Sequence, residues 1–303
     1  MERHSNVFLT GEQGNLAYNL ARRFEESDYY HLVWSYNHQI RGLCRRESPA
    51  GPELDVRNIE DVRIAMGLTQ PDIVVHIAAL VNTDRCSKDP GYAYETNVLG
   101  SYNTAKIAKE VGAKYVYFST TATYDPCLTL MNEDHPRNPK TLYGQTKYIG
   151  ELVTLSLHPE ALIILPCFVY GGKRDFVVSN IARIARNAMK GNPDKILITL
   201  DPARLKDYMH VSDFVEAVFD LIDCCEVGFY NISGMSPAPF SKVLEIMSEH
   251  AVLSYQLVPE ADYMGDHLVD STKLQKRMGW APIVGLQEGI RRMFQEDIPG
   301  GLL

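Results

Sequence analysis

Long apolar runs are missing from this chain. No stretch approaches the roughly 18 consecutive apolar residues of a membrane span. The opening MERHSNVFLTGEQGNLA lacks the apolar core of a secretion signal. Basic excess is missing too. Thirty Lys and Arg against 38 Asp and Glu leave a net charge of −8, so composition offers neither nucleic acid nor an anionic membrane a cationic surface. The six cysteines, Cys44, Cys86, Cys127, Cys167, Cys224 and Cys225, show no C-x-x-C spacing and no zinc-site pattern. They read as free thiols of a reducing compartment. A cytoplasmic protein without a metal is therefore expected. The 303 residues contain no repeat and no low-complexity segment, and the length suits one large domain or two.

What is present is an alternation of strand-like and helix-like segments. NVFLTG, HLVWSY, DIVVHIAAL, KYVYFSTTA and ALIILPCFVYG are apolar runs of strand length. Between them NLAYNLARRFEES, GYAYETNVLGSYNTAKIAKEVG and LYGQTKYIGELVTLSL read as helices, the second ended by Gly112. This rhythm predicts an α/β fold, a Rossmann-type doubly wound parallel sheet with ligands at the carboxyl ends of its strands. Past Gly171 the rhythm loosens and proline becomes more frequent. The expected division is a nucleotide-binding domain over residues 1–165 and a smaller substrate-binding part over 166–303, interleaved with the first.

TGEQGNLA follows the first strand and opens the first helix, placing Gly11, Gly14 and Ala17 in a G-x-x-G-x-x-A spacing. Small residues let a backbone approach a pyrophosphate, and a helix amino terminus favours its charge. A dinucleotide is expected here, with Gly11, Gln13, Gly14, Asn15 and Leu16 around it. The second strand ends in Ser35, Tyr36 and Asn37, without the carboxylate that NAD-preferring folds carry. Arg41, Arg45 and Arg46 follow, either as surface charge or as partners of a 2′-phosphate. The cofactor is therefore read as NAD(P), with NADP slightly favoured over NAD.

Tyr143 and Lys147 stand four residues apart in a helical segment, so both point from one face. By themselves they are either an exposed pair or a phenol tuned by a neighbouring cation for proton exchange. His76 is expected to be a packed core histidine. Cys224 and Cys225 are expected to be buried small residues, and Tyr92, Tyr94 and Tyr102 to pack.

Nine segments in order carry a resemblance: TGEQGNLA, LDVRN, PDIVVHIAA, DPGYAYETNVLGSYNTAKIAKEVG, YVYFSTTATY, YGQTKYIGE, DYMHVSDFVEAV, FYNISG and DSTKLQKRMGWAP. Together they resemble the extended short-chain dehydrogenase/reductase family, the group of nucleotide-sugar epimerases, dehydratases and reductases, over nearly the whole chain. The resemblance implies Tyr143 as general acid/base. It implies Lys147 as the residue that bonds the nicotinamide ribose and lowers the tyrosine pKa. Thr121 becomes the hydroxyl on the reacting oxygen, with Thr120 its neighbour and Thr123 a further substrate contact. Asp55 and Val56 match an adenine-contacting pair, Ala78 and Ala79 the small residues flanking the cofactor, and Asn97 the helix asparagine near the active site. The family's paired helices imply a homodimer.

Departures from the pattern fall on the substrate side. Phe168 stands where epimerases carry asparagine, and Lys206 where an arginine often grips the diphosphate, with Arg204 two residues earlier. The dehydratase element T-D-E is absent. The function implied is an NAD(P)-dependent epimerase or reductase of a nucleotide-activated sugar. Alternatives are a reductase or dehydrogenase of a non-sugar alcohol or carbonyl, and a cofactor-binding regulatory subunit without catalysis.

Overall fold

The computed structural model describes residues 5–11, 14–34, 54–126, 129–172, 180–192, 194–258 and 265–297. The strands are β1 (Ser5–Thr10), β2 (Tyr30–Trp34), β3 (Ile73–His76), β4 (Lys114–Phe118), β5 (Leu162–Pro166), β6 (Phe168–Tyr170), β7 (Ile196–Thr199), β8 (Leu205–Lys206), β9 (Tyr208–His210), β10 (Gly228–Ile232), β11 (Ala238–Pro239) and β12 (Tyr255–Val258). The helices are α1 (Asn15–Glu25), α2 (Ile59–Thr69), α3 (Thr83–Lys88), α4 (Pro90–Tyr94), α5 (Gly100–Glu110), α6 (Leu142–Leu157), α7 (Asn180–Met189), α8 (Val211–Asp223), α9 (Phe240–Ser248), α10 (Thr272–Met278) and α11 (Leu286–Arg292).

Among the described residues, six strands form one sheet in the order β10-β5-β4-β3-β1-β2. Every pairing in it is parallel. The cause is legible in β3 and β5, which are apolar but for the terminal His76 because helices cover both faces. Helix α1 packs against α8, while α2, α5 and α6 pack in succession. This is the doubly wound arrangement the alternation predicts. The chain passes from β1 to β2 on one side and returns to β3 on the other, so the order reverses between β1 and β3. Ligands of such sheets bind at that reversal, outside the carboxyl ends of the strands.

Two predicted elements are subdivided. The run ALIILPCFVYG is two strands: β5 stays in the sheet, and β6 leaves it to pair with β9. The break falls at Pro166 and Cys167, where the proline has no N–H to continue a ladder. The long helix over 90–110 contains a π-helical turn at Glu95–Leu99 between α4 and α5, a feature common at functional sites. The second half of the chain supplies the edge strand β10 of the sheet and also builds a separate apolar core around Ile184, Ile198, Phe240, Val243 and Met293. Cys224 and Cys225 are exposed rather than buried, because α8 ends at Asp223 with Cys224 as its cap and the chain turns out at Cys225, where φ is 54°. His76 is fully buried, as a core histidine should be. Among the described residues no helix is long and apolar enough to cross a membrane.

Candidate active site

The turn after β1 lies at the reversal of the sheet. Gly11 has φ 78°, and a Cβ there would sit 2.7 Å from the Ala78 nitrogen. Any side chain would push apart the two strand ends that meet at the site. The Gly14 N–H donates to the Gly11 carbonyl at 2.8 Å. Gly14 then caps α1 with no side-chain hydrogen bond and no acidic residue in the first turn. First-turn N–H groups without a side-chain cap, beside a backbone that glycine keeps thin, suit a phosphate. The residues present therefore fit a dinucleotide. Asn15 donates its Nδ2 to the Gly171 carbonyl at 2.7 Å, tying α1 to the end of β6, and Leu16 packs on the core. Thr10 fixes the opposite strand: its hydroxyl accepts from the Ile77 and Ala78 N–H groups at 3.1 Å.

Further along the strand ends, Asp55 is held by Arg57 through contacts of 3.0 and 2.6 Å, and this pairing lowers its carboxyl pKa. Val56 is buried against Gly100, where a Cβ would come within 2.8 Å of its side chain. Asn97, inside the π-helical turn, is fully buried. It accepts from Leu80 N–H at 2.7 Å and donates to the Leu80 carbonyl at 3.0 Å and to Thr146 at 2.9 Å. It clamps the loop after β3, which carries Ala78 and Ala79, onto α6. Gln13, Tyr36, Asn37 and Arg41, with Arg45 and Arg46, lie outside the described residues.

Helix α6 carries the tyrosine and lysine. Thr141 caps it by accepting from Gly144 N–H at 3.0 Å. Gly144 lets the helix approach the 3-10 turn Thr121–Thr123, since a Cβ there would lie 2.5 Å from the Ala122 carbonyl oxygen. Tyr143 packs beside Leu80, Cys86 and Ala93. Burial raises its phenol pKa, and a hydrogen bond with the Thr120 side chain opposes that rise. Lys147 is 1% exposed, with its ammonium 4.2 Å from the centre of the Tyr117 ring. Burial pushes its pKa down to about 7, and the Glu151 carboxylate opposes the fall. Glu151 is itself buried, raised by that burial, bonded to Ser119 and paired with Arg137 at 3.2 Å. The sequence reading missed Glu151, although its i+4 spacing from Lys147 was a usable signal.

The structure sets Thr120, not Thr121, beside Tyr143. Thr121 donates to the Pro166 carbonyl at 3.0 Å and meets His267 Nε2 at 2.7 Å. Its one proton is spent inside the protein, leaving nothing to donate to a reacting oxygen. The cause is the helix boundary: Thr120 is the extended residue that caps the 3-10 turn, and Thr121 is the first residue inside it, so their side chains diverge. Thr123 is also directed inward, fully buried and bonded to the Thr120 carbonyl at 2.9 Å. Arg204 faces Asp201 and Asp266 at 3.5 and 3.9 Å. Lys206 is 9% exposed, with its ammonium 5.1 Å from the Phe168 ring centre. Phe168 meets His267 edge-on at 5.5 Å. No motif signalled His267.

A parallel sheet that reverses beside a glycine cradle, with a Tyr/Lys helix packed against the turn after β4, defines a dinucleotide-binding α/β protein. A family model described as NAD dependent epimerase/dehydratase family matches residues 7–232. The chain belongs to that family, whose NAD(P)-dependent enzymes include epimerases, dehydratases and reductases of nucleotide sugars. It is 28% identical to the spore coat polysaccharide biosynthesis protein SpsK of Bacillus subtilis over 230 residues, 76% of this chain and 73% of that one. The UDP-glucose 4-epimerase of Thermus thermophilus, solved with NAD, superposes with a TM-score of 0.84 at 24% identity, covering 95% of this chain and 97% of that one. The dTDP-4-dehydrorhamnose reductase of Bacillus anthracis, solved with NADP, superposes with a TM-score of 0.77 at 22% identity, covering 97% of this chain and 100% of that one.

Proposed function

We propose that the protein oxidises or reduces a carbon centre of a nucleotide-activated sugar, with Tyr143 moving the proton. The observation that carries this reading is the placement of Tyr143 and Lys147 on the first two turns of α6, beside the turn that Thr120 caps. Gly11, Gly14, Asn15, Leu16, Asp55, Val56, Ala78, Ala79 and Asn97 would hold a nicotinamide dinucleotide, with Gln13, Tyr36, Asn37 and Arg41 beyond them. That group supplies the hydride chemistry when bound. NADP is favoured slightly, since Tyr36 presents no carboxylate to repel a 2′-phosphate.

The chain's own contribution is position and proton control. Tyr143 is a weak acid in its buried setting, so the neutral phenol is its resting form and donation comes first to hand in the reducing direction. Ionisation for the opposite direction needs a positive neighbour. The resemblance gives this task to Lys147, whose pKa burial pushes down to about 7; in this structure its ammonium lies over Tyr117, and Thr120, not Lys147, opposes the rise in the Tyr143 pKa. Thr120 is the neutral donor that shares the reacting oxygen with Tyr143, the task the resemblance gave to Thr121. Lys206 and Arg204 bring positive charge to the substrate side. The part over 166–303 that carries them is the proposed substrate-binding domain.

The test is a screen of purified protein with NAD(P)⁺ and NAD(P)H against UDP- and dTDP-sugars, alongside steroid-like and flavonoid-like carbonyls. Turnover with a nucleotide sugar, seen as cofactor oxidation or as sugar interconversion, is the expected result. Turnover confined to a non-sugar carbonyl would overturn the substrate class.

A further inference from the structure

The two departures from the family pattern on the substrate side, Phe168 and Lys206, meet at one residue, His267. Its backbone is locked: its N–H donates to the Leu205 carbonyl at 2.7 Å, and its carbonyl accepts from Asp207 N–H at 3.2 Å. Its ring is 2% exposed. Thr121 decides the tautomer. A hydroxyl has one proton, and Thr121 gives it to Pro166. The 2.7 Å contact with His267 must therefore use the proton on the histidine Nε2. Nδ1 is then a bare lone pair, and among the described residues it has no hydrogen-bond partner. The ring stays neutral, because burial and the neighbouring Lys206 charge both disfavour a second proton.

A buried acceptor without a donor asks for one. Phosphate and carboxylate groups cannot provide it at neutral pH, whereas a sugar hydroxyl can. His267 lines a small cavity with Ala122, Tyr124, Lys140 and Thr141. Ala122 lies in the turn beside Thr120, and Thr141 is the cap of the Tyr143 helix. The cavity therefore borders the turn next to Thr120 and the amino end of the Tyr143 helix. We infer that His267 determines specificity by accepting, at Nδ1, a hydrogen bond from a hydroxyl of the sugar; this rests on the function proposed above. The competing occupant is water, since the cavity, at about 10 Å³, is near the size that holds one molecule.

Two substitutions separate the ring's two nitrogens. His267→Gln can keep an N–H near the Nε2 position, facing Thr121, and offers no acceptor at Nδ1. His267→Asn can place its carbonyl oxygen near Nδ1. With NADP⁺ bound, calorimetry is run with UDP-glucose and dTDP-glucose against UDP and dTDP. His267→Gln is expected to bind the nucleotide sugar about tenfold more weakly, with the bare nucleotide within about twofold, and His267→Asn to recover most of the loss. Histidine-selective ¹⁵N spectra of the wild-type protein should give an imine-type Nδ1 that shifts with the nucleotide sugar and not with UDP or dTDP. Cofactor affinity and melting temperature check the fold of both variants, and the wild-type spectra stand without them. An Nδ1 that carries the proton, or one already hydrogen-bonded and unmoved by the sugar, overturns the inference. So does a folded His267→Gln protein that binds like wild type, and the proposed function survives all three results. A wild type that binds no nucleotide sugar overturns the proposed function and this inference together.

Discussion

Thr120 and Thr121 are chemically identical neighbours with opposite surroundings. Thr120 meets the phenol of Tyr143, and Thr121 is consumed by Pro166 and His267. Thr120→Val should therefore lower turnover by about tenfold or more, since one neutral hydrogen bond to the reacting centre is lost, with a stability cost limited to the cap on Ala122 N–H, about 1 kcal/mol. Thr121→Val should do the reverse. It leaves a half-buried Pro166 carbonyl and a buried His267 N–H without their partner, at a cost of roughly 1–3 kcal/mol. Steady-state kinetics and urea denaturation of the two variants check this, and the opposite pattern would return the role to Thr121. The sequence could not separate the two, because the choice depends on where the 3-10 turn begins, between Thr120 and Thr121, and not on residue type.

At the scale of elements, α6 is set by its glycines. A methyl at Gly144 would lie 2.5 Å from the Ala122 carbonyl oxygen, so the helix must retreat from the turn that carries Thr120. Gly144→Ala should separate Tyr143 from Thr120 and lower stability by roughly 1–3 kcal/mol. Turnover should fall with it while cofactor affinity holds; unchanged kinetics and melting temperature would show that the approach is not required. Strand β3 makes a second prediction through His76. Thr10 donates to its Nδ1 and its Nε2 donates to Ser101, at 2.9 and 3.2 Å. Lys147 lies near, and Tyr115 and Tyr117 flank the ring. Burial pushes its pKa down to about 3 from the ordinary 6.5. The unfolded chain takes up a proton below pH 6.5 and the folded chain does not. The stability tied to His76 is thus complete above pH 6.5 and lost as pH falls towards 3, by up to about 1.4 kcal/mol per pH unit. The stability gap between wild type and His76→Gln should shrink by roughly 2 kcal/mol between pH 7 and about pH 5. A constant gap would mean that the folded protein protonates His76.

The same elements show what the sequence could express. The order of β1 to β5 and the cradle of Gly11 and Gly14 were legible, because apolar runs and glycine spacing report directly on buried strands and close backbone approach. The π-helical turn around Asn97 was not, since its hydrogen bonds reach Leu80 and Thr146, far away in sequence. The departure of β6 from the sheet, and the meeting of Phe168, Lys206 and His267, are likewise tertiary facts without a local periodicity.

At the scale of the whole molecule, α4, α5 and α6 turn an apolar face outward. Tyr94, Leu99, Tyr102 and Leu152 are exposed, and a groove of about 460 Å³ runs between Tyr94, Glu95, Val98, Leu99, Tyr102 and Val153. An exposed apolar patch of this kind marks a contact surface. The paired helices of the family make a second copy the expected partner, across an isologous interface. Light scattering at micromolar concentration should give twice the chain mass, and Leu99→Glu should give a folded monomer; a wild-type monomer would contradict the pairing. The central claim concerns the assembled protein with cofactor and sugar bound: Tyr143 moves the proton. Turnover and cofactor affinity of Tyr143→Phe, measured together on that assembly, test it most directly. The account predicts a fall in turnover on the order of 10² to 10⁴ with cofactor affinity retained. Turnover equal to wild type would contradict it and leave Tyr143 and Lys147 a structural pair on α6.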